Sequence, residues 1–149
     1  MARALWETAR PSAAPTMPFE RDGDRFVVPS FRGAAASRVV LDDRLTLHTG
    51  LDALVIQAPC FLLLTDGQRR ALEPGNPASL ASAESLLRAV CRTVAFEEDG
   101  RLIVDLADGR RLEVPPDPQR VTWQIIVGGG LTMACRPGGE LVFARAPLR

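Results

Sequence analysis

The chain has 149 residues, 46% of them hydrophobic, with 18 basic side chains balanced by 18 acidic ones. That length supplies one buried core and argues against two independent domains, and the zero net charge removes any general field toward nucleic acid or an anionic membrane surface. Tyrosine is absent and His48 is the single histidine, so acid–base chemistry would have to rest on carboxylates and one imidazole.

Residues 1 to about 36 are rich in Ala, Pro, Arg and Ser. They read as an N-terminal tail, flexible or packed on the body, with an edge strand at 25–29 and with Trp6 and Phe19 as its large anchors. The opening Met1-Ala2-Arg3-Ala4-Leu5-Trp6-Glu7 is interrupted by charges, and Pro11 follows, before an apolar run of secretory length develops. Neither a signal peptide nor a membrane span is expected, and the expected location is cytoplasmic.

From residue 37 to 149 the pattern is that of a single β-rich domain. Short apolar stretches are separated by Asp42-Asp43, Thr49-Gly50, Asp66-Gly67, Asp99-Gly100, Asp108-Gly109, Gly128-Gly129-Gly130 and Pro137-Gly138-Gly139. Asp-Gly and Gly-Gly supply the positive φ angles of tight hairpin turns. The strands expected are 38–42, 44–49, 53–58, 60–65, 68–72, 93–98, 101–107, 110–114, 121–127, 130–135 and 140–144. Between the fifth and sixth of these, Leu80, Ala83, Leu86, Leu87 and Val90 recur at helical spacing, which predicts one amphipathic helix at about 78–91, capped by Ser79 or Ser82. The fold class expected is mainly β: antiparallel curved sheets or an incomplete barrel built of hairpins, with one helix laid on a sheet.

The chain also matches itself weakly. Val39-Val40-Leu41-Asp42-Asp43-Arg44-Leu45-Thr46-Leu47 aligns with residues 94–104, each copy reading strand, acidic turn, Arg-Leu, strand. Phe61 to Gly75, ending Leu72-Glu73-Pro74-Gly75, aligns with Gln124 to Gly138, ending Cys135-Arg136-Pro137-Gly138. Two origins stay open, a true duplication or two hairpins obeying the same turn chemistry. A duplication predicts two similar β-units about a pseudo-twofold axis, joined by the helix.

The same residues carry a family resemblance over roughly 31–144. They are Val39, Asp42-Asp43 and Leu45, Pro59 with Phe61, Asp66-Gly67, Asp99-Gly100-Arg101-Leu102, Asp108-Gly109, Leu112, Val114-Pro115-Pro116-Asp117, Trp123 and Cys135-Arg136-Pro137-Gly138-Gly139-Glu140-Leu141. In these the chain resembles a family of small actinobacterial proteins that has no assigned activity. An actinobacterial source also suits a composition in which every basic residue is Arg. The family pattern places an aromatic and an acidic residue before the tryptophan, where this chain has Val121-Thr122, and Phe143 stands for the family's terminal aromatic. The resemblance implies the fold and transfers no mechanism.

Residues that could carry chemistry are few. Cys60, Cys91 and Cys135 are odd in number and set among apolar neighbours, and read as buried reduced thiols. His48 could serve one of them as a base, although its place at a strand end beside Thr49-Gly50 reads as a surface histidine. With no Cys-x-x-Cys and no paired histidines, no metal site is expected. Asp42-Asp43 and Glu97-Glu98-Asp99 read as solvated turns rather than calcium or glycosidase carboxylates. Gly128-Gly129-Gly130 joins two strands and lacks a phosphate loop's Lys-Ser/Thr. Trp123, with Arg120 before it, has the composition of either a core anchor or a binding hot spot.

Two functions stay open on this basis. The preferred one is a non-catalytic protein-binding or accessory module, of the immunity type or a complex subunit, whose partner is another protein or a second copy in a homodimer. The alternative is a small-molecule-binding or cyclase-like β-barrel using an internal cavity, with Trp123 as a wall and Glu113, Asp105 or His48 as its polar group. The candidate binding residues are Trp123, Arg120, Arg136, His48 and Glu113. No catalytic residue, cofactor, nucleic-acid partner or membrane partner is expected.

Overall fold

The turn signals Asp42-Asp43, Asp66-Gly67, Asp99-Gly100 and Asp108-Gly109 each fall between two strands, where the Asp side chain closes the chain. Asp42, Asp66, Asp99 and Asp108 each accept, through Oδ1, the backbone N–H two residues further on, at 2.9 to 3.0 Å. This side-chain bond holds a turn in place of a missing ladder bond. A computed structural model describes residues 18–128 and 130–145. In chain order these residues form β1 (Glu20–Asp22), β2 (Arg25–Val27), β3 (Arg38–Leu41), β4 (Leu45–Thr49), β5 (Asp52–Ile56), β6 (Cys60–Leu63) and β7 (Arg69–Leu72). They continue with α1 (Leu80–Glu84), β8 (Cys91–Glu97), β9 (Leu102–Leu106), β10 (Arg111–Val114), β11 (Trp123–Val127), β12 (Leu131–Cys135) and β13 (Leu141–Arg145).

The strands build two antiparallel sheets, in the orders β1-β2-β8-β9-β10-β6-β7 and β13-β12-β11-β5-β4-β3. They pack as a sandwich and do not close into a barrel. Period-two alternation decides which residues meet. Leu45, Leu47, Leu54, Ile56, Trp123, Ile125 and Met133 of one sheet face Val94, Phe96, Leu102, Val104, Leu112 and Leu62 of the other, all at 3% exposure or less.

The internal match is visible in the topology. β3-β4-β5 is a meander in the six-stranded sheet, and the next hairpin, β6-β7, crosses to pair with β10. β8-β9-β10 is a meander in the seven-stranded sheet, and its next hairpin, β11-β12, crosses back to pair with β5. The register agrees residue by residue. Leu41 pairs with Leu45 and Leu45 with Ile56, as Phe96 pairs with Leu102 and Leu102 with Val114. Leu54 pairs with Ile125 as Leu112 pairs with Leu62, and Cys60 with Leu72 as Trp123 with Cys135. Two similar β-units are thus related by a pseudo-twofold axis.

Two local expectations are corrected. The helix expected at 78–91 is the five-residue α1, preceded by one 3-10 turn at Pro77–Ser79. Arg88 adopts φ +69°, a left-handed conformation incompatible with helix, and Val90 is drawn into a bridge with Ala35. Neither Ser79 nor Ser82 caps α1 through its side chain: the Ser79 hydroxyl accepts the Glu73 N–H at 2.9 Å, and the 3-10 turn is capped by Asn76. Within residues 18–36, β1 and β2 form a hairpin on the edge of the seven-stranded sheet, and Phe31 is fully buried. Trp6 lies outside the described residues. Among the described residues no helix is long and apolar enough to cross a membrane.

One turn shows how tightly the second unit closes on itself. A Cβ on Gly139, where φ is +90°, would collide with the Asp99 carbonyl oxygen, whereas one on Gly138, at φ +83°, would meet nothing within 4 Å. Gly138→Ala therefore costs only left-handed strain, about 1–2 kcal/mol. Gly139→Ala adds a backbone displacement and should cost roughly 2 kcal/mol more, a difference measurable by urea denaturation of the two variants.

Candidate functional site

Where the two units differ, a cleft opens. In the second unit Trp123 fills the space beneath the β8–β9 turn, and its Nε1–H donates to the Gly100 carbonyl at 2.8 Å. The position equivalent to Trp123 in the first unit is Cys60, a much smaller side chain that pairs with Leu72 as Trp123 pairs with Cys135. At the corresponding β3–β4 turn an open cleft of about 440 Å³ remains, lined by Leu41, Asp42, Asp43, Gly75, Pro77 and Leu80, with Asn76 at its edge. A smaller hollow of about 170 Å³ continues it along β3 and α1, past Val39, Ala83, Glu84 and Leu87. Leu80 is 49% exposed and Leu87 46%. The floor is apolar and the rim acidic. The Arg44 backbone N–H holds the Asp42 carboxyl below its usual value, so it is ionised at neutral pH.

A polar cleft of about 330 Å³ lies on the other side of the Glu73–Asn76 turn, bounded by Gln57, Pro59, Glu73 and Arg120. Arg120 sits 3.6 Å from Asp117. This places one of the sequence candidates on a groove wall.

The outer faces of the two sheets differ in charge. On the seven-stranded sheet, Arg111 binds Asp105 at 2.7 Å and Arg101 reaches Glu113 at 3.5 Å and Glu97 at 3.8 Å. Its polar groups satisfy one another across neighbouring strands. On the six-stranded sheet one row runs Val40, Thr46, Val55, Gln124, Ala134, Val142 and the next Arg38, His48, Ala53, Ile126, Thr132, Ala144. Arg38, on the edge strand, is the one charged side chain among these twelve.

The five sequence candidates do not converge. Trp123 is fully buried and hydrogen-bonded in the core. His48 lies in an outer row of the six-stranded sheet, and Glu113 on the opposite face of the sandwich. Arg136 is exposed beside Glu140 at 3.6 Å. The three thiols are buried while His48 points outward, so no cysteine–histidine pair forms. Among the described residues no group of three or more His, Cys, Asp or Glu could hold a metal ion. Buried apolar side chains of both sheets, Trp123, Phe96, Leu54 and Leu112 among them, meet in the space between the sheets. The residues that sequence reasoning missed are Leu41, Leu80 and Leu87 of the cleft; comparing the two repeats at Cys60 and Trp123 is the signal that could have found them.

Residues 27–145 match the family described as "Family of unknown function (DUF6188)". The chain belongs to that family. No curated protein and no solved structure matches it.

Burial pushes the Cys60 thiol from its ordinary 9.0 up to about 12 and the Cys91 thiol up to about 11. Both values are raised on folding, so the stability they contribute is complete below 9.0 and is lost as pH climbs through the folded values. The chain contains no Lys and no Tyr, which leaves this alkaline window to the cysteines. Stability should therefore hold level to about pH 9 and then fall. The fall should be shallower in a Cys60→Ala/Cys91→Ala double variant, measured as urea midpoint against pH.

Proposed function

We propose that this member of the DUF6188 family is a non-catalytic protein-binding module, an accessory or immunity-type subunit, that docks through the outer face of its six-stranded sheet. The observation that carries the reading is the near absence of charge from twelve in-register positions across six strands, in a chain that is 24% charged. A solvated sheet face ordinarily alternates with charged residues, as the seven-stranded sheet does here. Depletion of charge from a continuous patch is what distinguishes the centre of a protein interface from the remaining surface.

Size is consistent with docking. Six strands about 4.8 Å apart, each contributing about 17 Å of length, present a face of roughly 400–500 Å². That is more than half of the ~800 Å² per partner of a standard interface, the remainder coming from a polar rim. At an end of this sheet Leu51 is 88% exposed, on the turn between β4 and β5. Three buried, unpaired thiols support a reducing cytoplasmic setting, and the lysine-free composition supports an actinobacterial source.

Ile126 stands in the middle of the face, half-buried. Native mass spectrometry of the protein purified gently from its own host should show a stoichiometric partner protein or a second copy. Ile126→Glu should remove that added mass at an unchanged melting temperature. A bare monomer for the unsubstituted protein would reject the docking reading.

A further inference from the structure

The structure contains its own example of how the edge of a meander is covered. In the second unit the open edge of β8 receives β2: the Val28 N–H donates to the Val94 carbonyl at 2.8 Å, and Phe26 pairs with Phe96. Phe26 stacks on Phe96 with ring centroids 5.3 Å apart, and Phe19 stacks on Phe143 at 5.2 Å. The cover is also charge-matched. Arg21 reaches Glu98 at 3.2 Å, and Arg25 lies opposite Glu97 in the ladder. An aromatic side chain with an arginine one or two positions away seals an apolar edge beside an acidic turn.

The first unit presents the same edge, and among the described residues no strand covers it. Val39 and Leu41 are the register equivalents of Val94 and Phe96, and β3 ends its sheet. Asp42-Asp43 occupies the place of Glu97-Glu98. Counted from the equivalent Pro-Gly turns, Leu80 stands where Phe143 stands in the second unit. Instead of an aromatic cover there is the 440 Å³ cleft, and among the described residues neither Asp42 nor Asp43 forms an ion pair.

From this comparison we infer that the cleft between β3 and α1 is a docking site for a segment of a partner protein that carries an aromatic anchor with an arginine one or two residues away. The aromatic ring enters between Leu41 and Leu80, and the guanidinium meets Asp42 and Asp43 at the rim. Apolar burial supplies the affinity, and the two carboxylates select a basic neighbour over an acidic one. The site is separate from the charge-poor sheet face, so its existence does not depend on docking there.

The probe is a fluorescein-labelled synthetic peptide of residues 18–28, followed by fluorescence anisotropy on the full chain. Saturable binding is expected, weakened at least about tenfold by Leu80→Asp and by Asp42→Asn/Asp43→Asn, and unchanged by Glu97→Gln/Glu98→Gln. Leu80 is half-exposed and asparagine retains the Oδ1 acceptor that closes the turn, so these variants fold; circular dichroism melting checks that they do. A peptide with both Phe replaced by Ala should lose binding. Absence of saturable binding, loss only in the Glu97/Glu98 variant, or equal binding of the Phe-free peptide would each overturn the inference.

Discussion

The fold rests on an exchange: each half of the chain supplies the hairpin that completes the other half's sheet. β5 would be a bare edge without β11, and β10 would be one without β6. These two ladders are antiparallel pairings between strands far apart in sequence, and they place Leu54 against Ile125 and Leu112 against Leu62 at the centre of the core. Once both hairpins have crossed, each meander is continued at one side and the two sheets have no choice but to face each other. The result is two interlocked repeats rather than two repeats in series. A hairpin slipped by one residue would turn its whole apolar set outward.

On this symmetric frame the two units have diverged at the ends of their sheets. Trp123 and Cys60 hold equivalent ladder positions, yet one is the largest side chain in the core and the other among the smaller. The tryptophan lets its turn be drawn in by a hydrogen bond to Gly100, and Gly139 and Gly100 then pack so closely that neither tolerates a Cβ. Phe96, Phe143, Phe19 and Phe26 complete that end as one aromatic cluster. At the other end leucines replace phenylalanines, a short helix stands in place of a paired strand, and the surface stays open. Asymmetry in a pseudo-symmetric fold is a sensitive indicator of where selection acts on something besides folding, because packing alone would be served by either solution at both ends.

The outer faces differ in the same informative way. The seven-stranded sheet covers itself with cross-strand ion pairs that leave Asp105 at 9% exposure beside Arg111. Among the described residues the six-stranded sheet has no such cover, and its central strands present Val, Thr, Ala, Ile, Gln and His48. Water tolerates such a face, but a protein surface that excludes water from it gains free energy with little desolvation of charge. The proposed binding role rests on this difference between the two faces.

The strand order of hairpins, the turns and the repeat were legible in the amino-acid sequence because they depend on local chemistry. Asp-Gly and Asp-x-Arg turns close through a bond two residues long, and alternation selects the buried face of strands such as Arg101-Leu102-Ile103-Val104 wherever they lie. Other features were decided only in three dimensions. The helix was over-read because the spacing of Leu80, Leu86 and Val90 suits a helix, while Val90 is claimed by a bridge to Ala35. Trp123 beside Arg120 could be surface or core by composition, and the tertiary fold places it inside because the crossed hairpin brings it beneath Gly100, a partner 23 positions away. The cleft, the covered edge of β8 and the charge-poor face all arise from strands distant in sequence becoming neighbours, and no local pattern encodes which strand will be whose neighbour.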